Sequence, residues 1–353
     1  MSENEFGGSA RTLAEIGEFG LIDRVARPVR QGPSVLLGPG DDAALIAAPD
    51  RRVVASTDLL VEGRHFRRDW SSGYQIGRKA AAQNLADIAA MGARPTALLV
   101  GLCVPGDTRL GWVTELTAGL AEESALVGAS VAGGDTTRGE QIVIAVTALG
   151  NLEGRAPVLR SGARPGDVAA VAGELGWSAA GLELLSRGLP ELPAADDRLA
   201  PWLAKALARH RSPEPPYAAG PAAAVGGASA MLDVSDGLLA DLGHIARESR
   251  VAIDLDPARF PIPQPLRDLA EHCGLDPAHW FLTGGEDHAL AGCFPPGRPL
   301  PPGWHPIGRV VEPGLDERLA ADADRGAEPK VSRVTVAGVP WPGRQGWDHF
   351  DAE

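Results

Sequence analysis

The pattern of apolar and polar positions along the chain predicts an α/β protein in which helices and strands follow one another. Apolar residues recur at helical spacing over residues 13–25. They begin at Thr12-Leu13-Ala14-Glu15, the sequence of a capping box, and predict a helix to about Arg27. The β-branched run at 52–57 predicts a short strand that ends at Asp58.

Residues 73–91 predict a helix that is rich in alanine and carries one narrow polar stripe. Gln83, Asn84 and Asp87 lie three or four positions apart and therefore share a face. Two interpretations are open: a solvated helical face, or side chains that meet a partner inside the protein. The surrounding alanines leave little room for a broad polar surface and favour the second.

The rest of the first half continues the alternation of elements. A buried strand is expected at 97–104, a helix at 107–127, and a strand at 141–150. Between them, 130–137 predicts a strand running into a double-glycine turn that carries an acid and two hydroxyls. This order indicates helices packed on one sheet.

A change to Gly, Pro and Arg around 152–165 indicates a domain boundary, with an N-terminal domain at 1–152 and a C-terminal domain at 153–353. The second half predicts a further α/β layer. Its expected elements are a strand at 167–173, helices at 178–187, within 190–221 and at 238–249, and an apolar strand after His288.

Composition and charge narrow the class of protein. The 353 residues carry a formal net charge of −13, which disfavours a nucleic-acid partner. The three cysteines form no CxxC pair, which argues against a disulfide scaffold or a zinc site. The apolar runs are too short to span a bilayer and the N-terminus lacks the layout of a signal peptide, so a cytoplasmic protein is expected.

Acidic residues recur in both halves, mostly beside Gly, Ser or Thr. They are Asp41-Asp42, Asp58, Asp87, Asp135, Asp233, Asp236, Glu286 and Asp287. Taken alone, the doublet after Gly38-Pro39-Gly40 is explained by a solvated turn. Taken together, converging carboxylates repel one another unless cations neutralise them. Oxygen ligands without an EF-hand spacing favour several Mg²⁺ ions that hold a polyphosphate.

Other nucleotide templates fit less well. Residues 38–43 match GxGxxA formally, but two aspartates there would repel a pyrophosphate. The chain has no GxxxxGK[ST] loop and no HRD or DFG set. Asp233 occupies the glycine position that a nucleophile elbow at Ser235 would need.

A set of motifs follows one fixed order along the chain. The motifs are Gly40-Asp41-Asp42-Ala43, Ser56-Thr57-Asp58, Glu62-Gly63 with His65-Phe66, Asn84 to Ala93, Gly133-Gly134-Asp135-Thr136-Thr137, Arg160-Ser161-Gly162-Ala163, Asp233-Val234-Ser235-Asp236-Gly237, Gly284-Gly285-Glu286-Asp287 and Gly346-Trp347-Asp348-His349-Phe350. From about Glu18 to Phe350 this ordered set resembles the thiamine-monophosphate kinase family. The wider superfamily, which includes aminoimidazole ribonucleotide synthetase and selenophosphate synthetase, shares the acidic glycine turns but not the whole set.

The resemblance implies direct in-line transfer of the γ-phosphoryl group of ATP to thiamine monophosphate, on a two-domain α/β fold with a mixed N-terminal sheet. It also implies a homodimer that pairs through its N-terminal sheets. The implied Mg²⁺ ligands are Asp42, Ser56, Thr57, Asp58, Asp87, Asp233 and Asp236, with Asp87 and Asp236 central to catalysis. The implied nucleotide contacts are Asp135, Arg160 and Ser235, and the implied substrate contacts are His65, Asp87, Glu286 and Trp347.

Two positions depart from the family pattern, and two other functions stay open. His288 stands where the family usually has tyrosine, and Arg64 where a smaller or neutral residue is common. The first alternative function is a related ATP-using synthetase of the same superfamily. The second is a non-catalytic nucleotide- or metal-binding protein.

Overall fold

The computed structural model describes residues 11–16, 21, 30–39, 43–188, 198–314 and 333–347. The chain divides into two compact units. The N-terminal unit consists of Met1–Ala89, Ala93–Arg155 and Arg211–Pro213, and the C-terminal unit of Ala90–Gly92, Ala156–His210 and Glu214–Glu353. No helix of the described residues is long and apolar enough to cross a membrane.

The N-terminal unit is built on a four-stranded mixed sheet, as predicted. Its elements are β1 (Val35–Leu37), β2 (Leu45–Ile46), β3 (Val54–Val61), α1 (Gly73–Ala90), β4 (Arg94–Val104), α2 (Leu110–Ala125), β5 (Val131–Arg138) and β6 (Val143–Asn151). The order in the sheet is β3-β6-β4-β5, with β4 and β5 parallel and the other pairs antiparallel. Residues 13–16 are helical, and most of the helix predicted to Arg27 lies outside the described residues.

The two faces of this sheet differ because successive side chains of a strand point to opposite sides. On one face Leu60, Leu98 and Ile144 are fully buried. On the other, Leu59 is 56% exposed and Leu99 36% exposed. The β1–β2 pair covers one end of this second face, where Val35 and Ile46 pack near Ala97. We call this partly uncovered side the open face.

Two predicted strand ends are wrong, and both errors come from turn-like residues inside strands. The strand predicted to end at Asp58 continues to Val61, so Asp58 lies within β3. The predicted double-glycine turn is part of β5. A Cβ on Gly134 would lie 2.0 Å from the Val100 carbonyl oxygen, so glycine here permits a close approach to β4.

Helices α1 and α2 pack backbone against backbone. A Cβ on Gly77 would lie 2.0 Å from the Leu116 carbonyl oxygen, a distance that no other residue type tolerates. Beside this contact, Arg78 forms an ion pair with Glu123 at 2.7 Å, and only 1% of the Glu123 side chain is exposed. The pair therefore joins the two helices at a buried position.

The C-terminal unit contains a seven-stranded mixed sheet of order β13-β12-β9-β11-β7-β10-β8. Its elements are β7 (Val168–Ala172), α3 (Trp177–Ser186), α4 (Ala200–Arg211), α5 (Ala219–Gly226), β8 (Ala230–Val234), α6 (Leu238–Ser249), β9 (Ala252–Leu255), α7 (Gln264–His272), α8 (Pro277–Thr283), β10 (Ala289–Phe294), β11 (Trp304–Val311), β12 (Val334–Val336) and β13 (Val339–Pro340).

Every residue of β8 and β10 is buried, and apart from Asp233 in β8 none of them has a charged side chain. Around them Met231, Leu290 and Phe294 form a core cluster, in which Phe294 meets Trp304 edge to face with ring centroids 4.9 Å apart. Burial on both faces holds the ends of β8 and β10 in fixed positions. Those ends carry the acidic motifs of the second half.

Arg78→Met should lower the free energy of unfolding by about 3 kcal/mol, because it leaves the buried Glu123 carboxylate without its ion-pair partner. The matched control is Arg94→Met, which removes an exposed pair with Glu153 and should cost less than about 1 kcal/mol. Urea unfolding of both variants measures the difference. Equal losses would contradict a structural role for the buried pair.

Candidate active site

The polar stripe of α1 faces β3. Ser56 Oγ donates a hydrogen bond to Asp87 Oδ2 at 2.6 Å, and Gln83 Nε2 donates to Asp58 Oδ2 at 3.3 Å. The fully buried Asn84 accepts the Asp58 backbone N–H through Oδ1 at 3.1 Å. The stripe therefore contacts a partner inside the protein, and it gathers three of the residues predicted to hold metal: Ser56, Asp58 and Asp87.

A further contact extends this stripe to the turn after β3. Lys79, four residues before Gln83, is 3% exposed and donates from Nζ to the His65 carbonyl oxygen at 3.1 Å. The Val61 N–H donates to His65 Nδ1 at 3.0 Å. Both the backbone and the ring of His65 are thus fixed from within the N-terminal unit.

The remaining predicted residues of this unit are not at the stripe. Thr57 lies on the open face, where its hydroxyl donates to the Val146 carbonyl oxygen at 3.1 Å and accepts from Thr147 at 3.0 Å. Asp135 is exposed and pairs with Gly101 of β4. Strand pairing puts both residues in the same cross-strand row as Leu59, so Asp135 lies on the open face. Asp41 and Asp42 lie outside the described residues.

In the C-terminal unit the predicted residues gather at the turn between β8 and α6, residues 235–237. Three segments hold its backbone. The Glu286 N–H donates to the Ser235 carbonyl oxygen at 2.7 Å, and the Trp347 N–H donates to that of Asp236 at 2.9 Å. From α6, Asp241 Oδ2 accepts the N–H groups of Asp236 and Gly237 at 3.0 and 3.1 Å.

Close backbone approach makes this turn possible. A Cβ on Gly285 would lie 2.5 Å from the Ser235 carbonyl oxygen. Gly237 has φ of +132°, in the region that favours glycine, and a Cβ there would lie 2.8 Å from the Thr283 carbonyl oxygen. Glycine at these two positions lets the two acidic loops meet.

Carboxylates crowd beneath the turn. Burial, together with the charges of Asp233 and Asp236, raises the pKa of Asp241 to about 8. Asp233 is itself buried and lies 3.1 Å from His288 Nδ1. Negative charge is therefore concentrated at the end of β8, where an added cation would be stabilised.

The loop after α8 is strained on both sides of Asp287. Glu286 has φ of +63° and His288 of +52°, values uncommon for residues other than glycine. Asp287 Oδ2 and Oδ1 accept the N–H groups of Gly176 and Ser178 at 2.6 and 2.8 Å, at the start of α3. Burial raises the pKa of Asp287 to about 7, while these bonds oppose the rise.

Glu286 is held from the side by a buried histidine. His210, at the end of α4, has Nδ1 3.5 Å from Glu286 Oε2 and 3.3 Å from Ser178 Oγ. The Glu286 side chain itself is one-third exposed. The contact leaves Glu286 partly accessible while limiting its rotation.

Of two further predicted contacts in the C-terminal unit, Trp347 lies at the turn and Arg160 does not. Trp347 is bound to the turn by its backbone and is 45% exposed, with the Arg344 guanidinium 5.6 Å from the centroid of its ring. Arg160 is exposed, and its carbonyl oxygen accepts the Ser249 hydroxyl at 2.9 Å, at the C-terminal end of α6. The turn precedes the opposite end of that helix.

The donor set of each unit suits a hard cation, because it consists of carboxylate and hydroxyl oxygens. Among the described residues no group of three or more His, Cys, Asp or Glu side chains is arranged to hold a metal ion. Bound ions would therefore need further oxygen ligands from water, from phosphates or from residues 40–42. The phosphate oxygens of a bound polyphosphate would supply such ligands.

Sequence reasoning missed Lys79, Asp241 and His210. Lys79 could have been found, because it lies at i−4 from Gln83 on the same helix face. Asp241 also had a signal, since an acid in the first turn of a helix accepts free N–H groups. His210 had none, because its contacts lie 32 and 76 residues away in the chain, at Ser178 and Glu286.

Comparison with known proteins gives one consistent family. Residues 40–152 match the family model "AIR synthase related protein, N-terminal domain". The thiamine-monophosphate kinase of Mycobacterium tuberculosis is 48% identical over 340 residues, which cover 96% of this chain and 93% of that protein.

Solved structures of thiamine-monophosphate kinases are also similar to this chain. The crystal structure of thiamine-monophosphate kinase from Stenotrophomonas maltophilia K279a has a TM-score of 0.73 and 33% identity, covering 92% of this chain and 98% of that one. The structure of AaThiL complexed with AMPPCP and TMP has a TM-score of 0.72 and 30% identity, covering 96% and 99%.

Asp241→Ala should destabilise the protein by about 1–3 kcal/mol, because two backbone N–H groups of the turn lose their acceptor. Asp241→Asn is the matched control, since a single amide oxygen can replace Oδ2, which accepts both bonds. Thermal unfolding of the two variants measures the difference. The role of Asp241 as an acceptor would be wrong if Asn were as damaging as Ala.

Proposed function

The chain belongs to the thiamine-monophosphate kinase family, and we propose that it holds ATP and thiamine monophosphate on several Mg²⁺ ions while one phosphoryl group is transferred. The observation that carries the activity is the 48% identity to a named thiamine-monophosphate kinase over 93% of its length. The product is thiamine diphosphate. A reaction that consumes ATP also fits the cytoplasmic location expected from the sequence.

The relative that binds AMPPCP and TMP supports the pair of substrates. In the proposed step a phosphate oxygen of thiamine monophosphate bonds to the γ-phosphorus of ATP, and the bond from that phosphorus to the β,γ-bridging oxygen breaks. ADP leaves with the electron pair. The attacking oxygen is already ionised near neutral pH, so the step needs alignment and charge neutralisation more than a general base.

Residues at both acidic clusters would hold the metal. Ser56, Asp58 and Asp87 supply oxygens in the N-terminal unit, and Asp233 and Asp236 supply them in the C-terminal unit. Bound Mg²⁺ neutralises phosphate charge that would otherwise repel these carboxylates. Asp42 and Thr57 are kept as ligands on the resemblance alone.

The nucleotide and substrate contacts are proposed from the family motifs. Ser235, Asp135 and Arg160 contact the nucleotide in this proposal, while His65, Asp87, Glu286 and Trp347 contact thiamine monophosphate. The exposed ring of Trp347 already has a guanidinium 5.6 Å from its centroid, so it can present a π-face to a cationic thiazolium. The limited rotation of Glu286 beside His210 suits an anionic partner for the same substrate.

We also propose that a second copy of the chain covers the open face of the N-terminal sheet. Leu59 and Leu99 are large apolar residues exposed on this face, Leu59 on the edge strand and Leu99 on an inner strand. They lie on β3 and on β4, two strands apart in the sheet order, so the apolar surface crosses the sheet. A surface of this kind is typical of a subunit interface.

Asp58→Asn and Asp236→Asn should each lower kcat for thiamine diphosphate formation at least about 100-fold, because each removes a charge that holds the cation. The assay incubates protein with ATP, Mg²⁺ and thiamine monophosphate, and product is separated by chromatography. Asp69→Asn is the control, because Asp69 forms an ion pair with Arg67 in which both side chains are exposed.

Two outcomes would overturn parts of this proposal. Wild-type protein that forms no thiamine diphosphate at saturating Mg²⁺ would exclude the kinase activity. Variants at Asp58 and Asp236 that keep the rate of the Asp69 control would exclude the metal site while leaving the activity.

Leu59→Arg should convert the proposed dimer into a monomer, because it places a charge in the apolar part of the interface. Sedimentation velocity measures the mass. Leu182→Arg, at an exposed apolar position on α3 in the C-terminal unit, is the control and should leave the mass unchanged. A wild-type monomer at micromolar concentration would exclude the interface.

A further inference from the structure

Lys79 is a buried cation whose side chain is hydrogen-bonded to the turn that contains His65. Its side chain lies on the same face of α1 as Gln83 and Asp87, at spacings of four residues, or about 6 Å along the helix. Gln83 reaches Asp58, Asp87 reaches Ser56, and Lys79 reaches the His65 carbonyl oxygen. One helix face therefore orients two candidate metal ligands and one candidate substrate contact.

The ring of His65 has a defined tautomer. A backbone N–H can only donate, so His65 Nδ1, which is 3.0 Å from the Val61 nitrogen, accepts and carries no proton. The proton of the neutral ring is then on Nε2. With Lys79 holding the carbonyl oxygen and Val61 holding the ring, the direction of the Nε2–H bond is set by β3 and α1.

We propose that His65 is a neutral hydrogen-bond donor, through Nε2–H, to a phosphate oxygen of thiamine monophosphate, and that Lys79 is the positioning residue that holds the turn in which the Val61 N–H fixes this tautomer and direction. The inference rests on the proposed function for the identity of the acceptor. The tautomer and the role of Lys79 rest on the geometry alone.

The chemistry favours a phosphate oxygen as the acceptor. The thiazolium ring of the substrate is cationic and does not accept a hydrogen bond, and the aminopyrimidine nitrogens are neutral acceptors. The phosphate is anionic and makes the stronger bond with an N–H donor. Burying an ammonium group is costly unless it is paired or hydrogen-bonded. One of the contacts of the buried Lys79 ammonium group is the His65 carbonyl oxygen, and this contact holds the turn in place when an anion binds.

The first test reads the tautomer without turnover. Long-range ¹H–¹⁵N spectra of histidine-labelled protein, assigned by the signals lost in His65→Gln, should show His65 as Nε2–H in the wild type. Lys79→Met should give signals averaged between tautomers, and Lys79→Arg, which can still donate to the carbonyl, should restore the wild-type pattern. An Nδ1–H or doubly protonated ring in the wild type would overturn the proposal.

The second test separates positioning from stability. Lys79→Met should raise KM for thiamine monophosphate about tenfold, the effect of one weakened hydrogen bond to a charged group, with KM for ATP changed less than about twofold. Arg78→Met, on the same helix, destabilises the fold through Glu123 and should change neither KM nor the His65 signals.

The remaining outcomes are each decisive. Equal rises in both KM values, or an unchanged KM for thiamine monophosphate, would overturn the role of Lys79 in substrate binding. If Lys79→Met does not fold, Lys79→Gln takes its place with the same expectations. Absence of wild-type activity would refute the proposed function, and the tautomer measurement would still decide whether Lys79 fixes His65.

Discussion

The structure depends on how the buried and half-buried carboxylates are held. Asp58 accepts from the Gln83 amide, Asp87 from the Ser56 hydroxyl, and Asp241 from two backbone N–H groups. These neutral donors fix the direction of each carboxyl group and do not cancel the charge of Asp58 or Asp87, whereas the arginine beside Glu123 cancels the charge of that carboxylate. Charge that is oriented but not cancelled makes a cation and its phosphates favourable ligands.

The alternation of a β-strand divides the Ser56-Thr57-Asp58 motif. Ser56 and Asp58 point to α1, and Thr57 points to the open face beside Thr147. Asp135 shares the open face but lies on β5, three strand spacings from β3, or about 14 Å. Within one chain, Thr57 and Asp135 therefore cannot bind the same ion. The two faces of one sheet therefore differ in chemistry: one carries the acidic cluster, and the other exposes the apolar side chains of Leu59 and Leu99.

Much of the fold could be predicted from local patterns, and the failures have physical causes. The helices at Gly73–Ala90 and Leu238–Ser249 follow from their own periodicity. The extents of β3 and β5 do not, because pairing with neighbouring strands overrode an acid and two glycines that locally favour a turn. For the site, the acidic residues carried their own signal, whereas the contacts of Lys79 and His210 depend on elements brought together by folding. Asp42 lies outside the described residues, so its role stays a prediction.

The turn at residues 235–237 shows why the second half of the chain must be complete before its acidic cluster exists. Its backbone is held by Glu286 and Trp347, which follow it by 50 residues or more, and by Asp241 from the next helix. The bonds from Glu286 and Trp347 close long loops, so their entropic cost must be offset by the other contacts of the sheet, whereas the bonds to Asp241 are local. The segment that ends at Trp347 also adds β12 and β13 to the sheet edge. The elements that complete the C-terminal sheet therefore also position the acidic turn, and their contacts hold the strained backbone of Glu286 and His288 in place.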